Sequence, residues 1–138
     1  MTSQLNVDTI VDKAGSGGTN VKIANTSVTV AEGGSATMNT VQGLCKAWLF
    51  GGADASLTVA DSLNIASGTD NGTGDYTYTF TSALSSSTLS AAGTTNSSAD
   101  KNLTINDAAT TSYSVETHQQ NGNNSDSGNR SMIMGDLA

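Results

Sequence analysis

The chain has no proline, one cysteine, one histidine and one tryptophan, and only 12% of its residues are charged. Each scarcity excludes a class of protein. Cys45 cannot form an intrachain disulfide, so the fold has no such staple in any redox compartment. It lies between Gly43 and Phe50 in an apolar stretch with Lys46 alone beside it, which suits a small buried hydrophobe rather than a reactive thiol. His118 and Cys45, single and far apart, do not make a tetrahedral zinc site. A His118 from each of three chains could meet on a threefold axis, a possibility one sequence leaves open. Five basic groups against 12 acidic ones give a net charge of −7. With no basic patch, binding of nucleic acid through its phosphates is not expected. No apolar run approaches the roughly eighteen residues of a membrane span, and "MTSQLNVDTIVDK" lacks the basic and apolar blocks of a signal peptide. No membrane insertion is expected.

What is present is polar and small. Ser, Thr, Asn and Gly make up about half of the 138 residues, enough chain for one modest domain or a small domain with an arm. Thr, Val, Ile, Tyr and Phe recur in short alternating runs between clusters of Gly, Asn, Asp and Ser, the pattern of a many-stranded protein. The expected class is all-β.

Two textures divide the chain. Residues 1–42 read as thin extended pieces, "LNVDTIV" and "NVKIANTSVTVA", separated by the glycine turns "DKAGSGG" and "EGGS". Burying one Val or Ile stabilises by about 1.5–3 kcal/mol, while ordering each residue costs about 1–2 kcal/mol, so this arm needs a partner surface. Leu5, Val7, Ile10, Val21 and Ile23 are its candidate oligomerisation core. Residues 43–138 carry stouter strands: "GLCKAWLFGG", "SLTVADSLNIAS", "GDYTYTFTSAL", "TLSAAGTT", "NLTIND", "TSYSVETHQ" and "NRSMIMGDL". Short strands at this spacing predict an antiparallel β-sandwich. Its expected core is Trp48, Phe50, Leu63, Ile65, Tyr76, Tyr78 and Phe80.

"TDNGTGDYTYTF", Thr69 to Phe80, is the stretch most suggestive of chemistry. An EF-hand loop needs oxygen ligands where glycines stand here, and flanking helices. A Walker loop needs Lys and Ser or Thr closing the glycine run, where "GTGD" has an aspartate. The better fit is a hairpin corner between a strand ending near Ala66 and one starting at Tyr76, with Asn71-Gly72 supplying positive φ. Asp70 and Asp75 could meet across its mouth and take a weak ion. His118, with Glu116 two residues earlier on the same strand face, reads as a structural histidine rather than a catalytic base. Tyr76, Tyr78 and Phe80 alternate as core residues do, although exposed rings in that pattern would suit a stacking sugar. No catalytic residue, cofactor or metal ligand is assigned.

"KAWLF" followed by "DSLNIASGTDNGTGDYTYTFTSAL" resembles a module of tail-fibre and other virion proteins of bacteriophages, notably marine podoviruses. Lys46, Ala47, Trp48, Ser62, Asn64 and the run Thr69 to Thr77 match it; Gly43 to about Leu84 is well covered and "RSMIMGDLA" is similar to its closing strand. "LNVDTIVDKAGSGGTNVKI" is similar to segments that recur in trimeric phage fibres. The resemblance implies a virion protein assembled in the host cytoplasm, a small homotrimeric tail fibre or fibre-like appendage. Its arm would attach to other virion proteins of the tail or capsid, and its sandwich would take part in host attachment. The chain departs from long fibres in having no extended shaft. Loops bearing Asn96, Asp100, Asn121, Asn123 and Asn124 are the candidate contacts with a host surface glycan. The alternatives are a capsid decoration protein, a carbohydrate-binding module using Tyr76 and Tyr78, and, behind both, a glycan-degrading enzyme.

Overall fold

A computed structural model describes residues 28–30, 37–39, 43–52, 57–96, 100–106 and 108–136. The chain divides into two units, Met1–Val41 and Gln42–Ala138. In the first, β1 (Val28–Val30) pairs antiparallel with β2 (Thr37–Asn39), Thr29 opposite Met38. Leu5, Val7, Ile10, Val21 and Ile23 lie outside the described residues.

The second unit is all-β; among the described residues there is no helix. Its strands are β3 (Ala47–Gly51), β4 (Val59–Leu63), β5 (Ile65–Gly72), β6 (Asp75–Phe80), β7 (Ser90–Thr95), β8 (Lys101–Asn106), β9 (Ser112–Gln119) and β10 (Asn129–Met134). They form two antiparallel four-stranded sheets, one ordered β4-β3-β10-β7 and the other β5-β6-β9-β8.

The core lies between them. Ala47, Leu49 and Ile133 from the first sheet and Tyr76, Tyr78, Phe80, Tyr113 and Val115 from the second are buried in one cluster with Leu57 and Leu84. Alternation sets this up: β6 and β9 bury every second residue, leaving threonines, serines and Glu116 on the outer face. Tyr113 packs on Tyr78 and on Phe80, with ring centroids 5.5 Å apart in each pair.

Buried tyrosines bring hydroxyls that need partners, and β10 with the segment leading into it provides them. Ser127, Asn129 and Ser131 are buried at every second position. Tyr113 Oη lies 2.7 Å from Ser131 Oγ, and Asn129 Nδ2 donates to Tyr78 Oη at 2.8 Å. Tyr76 Oη donates to Asp126 Oδ1 at 3.3 Å and accepts from Ser127 N at 3.4 Å. The two sheets are therefore joined by hydrogen bonds as well as apolar contact.

Asn64 is the single residue between β4 and β5, and there the chain passes from one sheet to the other. Its φ of 59° is left-handed, which asparagine tolerates better than most residues. The side chain fixes the corner: Nδ2 donates to Ser82 O at 3.0 Å, and Oδ1 accepts from Ser82 N at 2.7 Å.

The hairpin expected near Asn71-Gly72 forms later and is longer. β5 continues to Gly72 rather than ending near Ala66, and the turn falls at Thr73-Gly74. Gly72 (φ 140°) and Gly74 (φ 67°) take the positive φ values; Asn71 does not. Asn71 Nδ2 instead donates to Asp75 Oδ1 at 3.2 Å and Thr77 Oγ1 at 2.9 Å, while Asp70 Oδ1 accepts from Gly72 N at 2.9 Å. The polar side chains of this stretch are spent on their own turn.

Candidate interaction face

Of the expected core residues, Tyr76, Tyr78 and Phe80 are buried, and Ile65 packs on the core from its margin. Trp48 and Leu63 are corrections: they are 36% and 47% exposed. In β3, Ala47 and Leu49 point inward, so Trp48 points out. Leu63 follows because it stands opposite Trp48 in the register. The three tyrosines and Phe80 occupy the core between the sheets, and β3 contributes the small Ala47 and Leu49 to it rather than the indole.

The outward residues form an ordered surface. Crossing the first sheet, Leu63 stands opposite Trp48, Trp48 opposite Met132, and Met132 opposite Ala92. All four are exposed. Met134, on the same face of β10, is exposed too, as is Leu44 just before β3. A contiguous apolar surface of this kind marks an interaction site far more often than a scattered exposed leucine does. Trp and Met are among the residues enriched at such sites.

A charged row adjoins it. Asp61 and Arg130 stand opposite Phe50 from its two neighbouring strands. Arg130 holds its guanidinium 4.7 Å from the centre of the Phe50 ring and donates from Nη2 to Asn96 Oδ1 at 3.0 Å. Phe50 is thus partly covered by a cation rather than buried in the core. Asp61 Oδ1 accepts from Ser62 N at 2.8 Å, leaving the exposed carboxylate on the outer face.

The candidate loop residues separate into groups. Asn96 is tied to the sheet through Arg130. Asp100 and Asn121 come together around a shallow polar hollow with Lys101, Gln119 and Gln120, where Gln120 N donates to Asp100 O at 3.2 Å. Asn123 and Asn124 build the return of that loop. Asn123 N donates to Asn121 Oδ1 at 3.0 Å, Gln119 N to Asn123 O at 2.8 Å, and Asn124 bridges His118.

His118 Nε2 lies 3.3 Å from Glu116 Oε2 across one strand face, both side chains partly exposed. Cys45 is half-buried just before β3, its thiol donating to Ala47 O at 2.9 Å. Among the described residues no three His, Cys, Asp or Glu side chains are grouped to hold a metal ion.

Sequence reasoning missed Met132, Met134 and Arg130 as surface residues, and Ser127, Asn129 and Ser131 as partners of the tyrosines. Two signals pointed to them: alternation in "SGNRSMIM" that puts its small polar residues in phase, and tyrosine hydroxyls that needed partners. With this geometry in place, comparison with family models, curated proteins and solved structures finds no match.

Proposed function

We propose that this chain is a structural protein of a bacteriophage virion, a small trimeric tail fibre or fibre-like appendage that contributes to attachment at the host surface. The observation that carries this reading is the apolar row Leu63, Trp48, Met132 and Ala92 on the outer face of an otherwise polar, hydrogen-bonded sandwich. Such a face suits a subunit designed to be covered by protein. In this reading residues 1–42 are the attachment arm, and Leu5, Val7, Ile10, Val21 and Ile23 form a core shared by three chains. The sequence resemblance supplies the virion setting.

The work done is binding. Three copies on one stalk gain avidity because the second and third contacts are made at high effective concentration. The hollow lined by Asp100, Lys101, Gln119, Gln120 and Asn121 offers amide and charged groups to a host glycan. Tyr76 and Tyr78 do not: at 1% and 0% exposure their rings cannot stack on a sugar, which removes the basis for a carbohydrate-binding module built on them.

A capsid decoration protein is the second reading, favoured by the form of the apolar surface, a sheet face rather than a groove, which would lie well against a capsid subunit. One experiment separates the two. Antibody against the full chain, applied to particles of the phage that encodes it and imaged by electron microscopy, labels tails or their appendages if the fibre reading holds. Label confined to heads favours decoration, and particles without label refute both.

A further inference from the structure

We infer that the exposed face of the sheet β4-β3-β10-β7 pairs with the same face of a second copy of this chain, about a twofold axis running along β3. This rests on reading that face as a subunit interface and names its occupant.

The inference comes from the order of side chains across the sheet. Along one row stand Leu63, Trp48, Met132 and Ala92, and along the next Asp61, Phe50, Arg130 and Thr94; β3 is the middle of the three strands β4, β3 and β10 that carry the large and charged side chains, and β7 lies outside the pairing. Strands in a sheet lie about 4.8 Å apart, so the backbones of Asp61 and Arg130 flank Phe50 roughly 10 Å from each other and carry opposite charges to its two sides. A twofold axis parallel to β3 and lying between two stacked copies keeps the strands aligned and exchanges the flanks. Asp61 then faces the partner's Arg130, and Arg130 faces the partner's Asp61. In the next row Leu63 faces the partner's Met132, while Trp48 meets the partner's Trp48 on the axis.

Every contact is thus made twice, apolar against apolar and acid against base, as an isologous interface requires. Aligned stacking of two sheets about 10 Å apart is an ordinary β-packing geometry. The charge pairs set the register, and Trp48 supplies the central anchor. A second copy turned end for end would keep each flank on its own side, setting Asp61 against the partner's Asp61 and Arg130 against the partner's Arg130, or, shifted by one row, the apolar row against the charged one, so the aligned arrangement is the one the side chains select. Where the arm joins three chains, this contact joins one trimer to another.

The test uses the full chain. Sedimentation equilibrium over a range of concentrations is expected to show a smallest species and its double, with higher multiples where the three faces of a trimer pair with different partners. Trp48→Ser should weaken the doubling by about 10-fold or more. Asp61→Arg alone and Arg130→Asp alone should each weaken it comparably, because each sets like charges against each other at both contacts. An equimolar mixture of these two variants should double again. In the mixed pair, an arginine at position 61 of one chain meets an aspartate at position 130 of the other, and the native Arg130 meets the native Asp61. Far-ultraviolet circular dichroism establishes that each variant keeps its β structure; a variant that loses it is replaced by Asp61→Asn or Arg130→Gln, which remove a charge and should weaken the doubling less.

Wild-type mass that never doubles overturns the inference, as does a mixture that behaves like its separate components. A trimer whose mass does not double counts against this contact and leaves the fibre reading standing. Doubling of a monomer counts against the trimer and supports the contact.

Discussion

Asn129 donates through Nδ2 to the hydroxyl of Tyr78 at 2.8 Å in a place closed to solvent, while its Oδ1 has no hydrogen-bond partner among the described residues. Tyr78→Phe would therefore leave a fully buried amide with neither end paired. The expected cost is about 1–3 kcal/mol, the penalty for a buried polar group left unsatisfied. Tyr113→Phe should cost less, about 0.5–1.5 kcal/mol, because the Ser131 hydroxyl left behind is small and can rotate toward another acceptor. Urea unfolding of both variants checks the order; equal costs would show that Asn129 re-pairs.

The same tyrosines predict how the protein responds to alkali. Burial raises the pKa of Tyr76 and Tyr113 above the usual phenol value and pushes Tyr78 up to about 12, against the opposing hydrogen bond from Asn129. Unfolded, these phenols ionise near 10, so above that pH the folded state holds protons that the unfolded state releases. Their contribution to stability is whole below about pH 10 and is lost as pH rises through the folded values. Tyrosinate absorbance should therefore rise together with loss of the β circular dichroism signal, at a pH above 10. Absorbance that rises near pH 10 while the fold persists would contradict the buried rings.

Gly74 and Gly122 both take positive φ, 67° and 85°, but only Gly74 is enclosed. A Cβ on Gly74 would lie 2.5 Å from Thr117 O and 2.8 Å from Ser125 N, both backbone atoms, whereas one on Gly122 meets nothing within 4 Å. Gly74→Ala combines left-handed strain of about 1–3 kcal/mol with overpacking of about 1–3 kcal/mol. Gly122→Ala carries the strain alone. Thermal melts should put Gly74→Ala clearly below Gly122→Ala, and matching melts would show that the turn yields around the added methyl.

Part of this architecture could be read from residue order. "DYTYTF" has one apolar phase and one threonine phase, so its inward face was legible. "AWLF" is apolar in both phases, and alternation cannot say whether Trp48 or Leu49 turns inward; the tyrosines of the facing sheet decide it. Leu63 was hidden for another reason. A shift in register between Phe50 and Gly51 sets Val59, rather than residue 60, opposite Gly51. The extra residue in β4 reverses its phase, so Val59 packs on the core while Leu63, four residues on, faces out. The bulge lets Val59 turn inward while the pairs Leu63–Trp48 and Asp61–Phe50 hold the outer face, and a bulge leaves no mark in hydrophobic periodicity. Ser127, Asn129 and Ser131 looked like loop and surface residues because their value comes only from the hydroxyls across the core.

Trp48 and Phe80 test that division between surface and interior most directly. Phe80 is 5% exposed and stacks on Tyr113, while Trp48 is 36% exposed on the outer face. Phe80→Ala removes a ring from a closed core and should cost about 3–5 kcal/mol in unfolding free energy. Trp48→Ala removes a larger ring, but one that borders solvent over a third of its surface in the single chain, and should cost less there, about 1–2 kcal/mol. The measurement is urea unfolding at concentrations low enough to hold the smallest species. If Trp48→Ala proved as costly as Phe80→Ala under those conditions, the indole would belong to the chain's own core, and the outer face would lose its anchor for any partner. The expected difference instead assigns the indole a role that stability of the isolated chain does not require, since a large apolar side chain kept at the centre of a sheet face contributes most when another surface covers it.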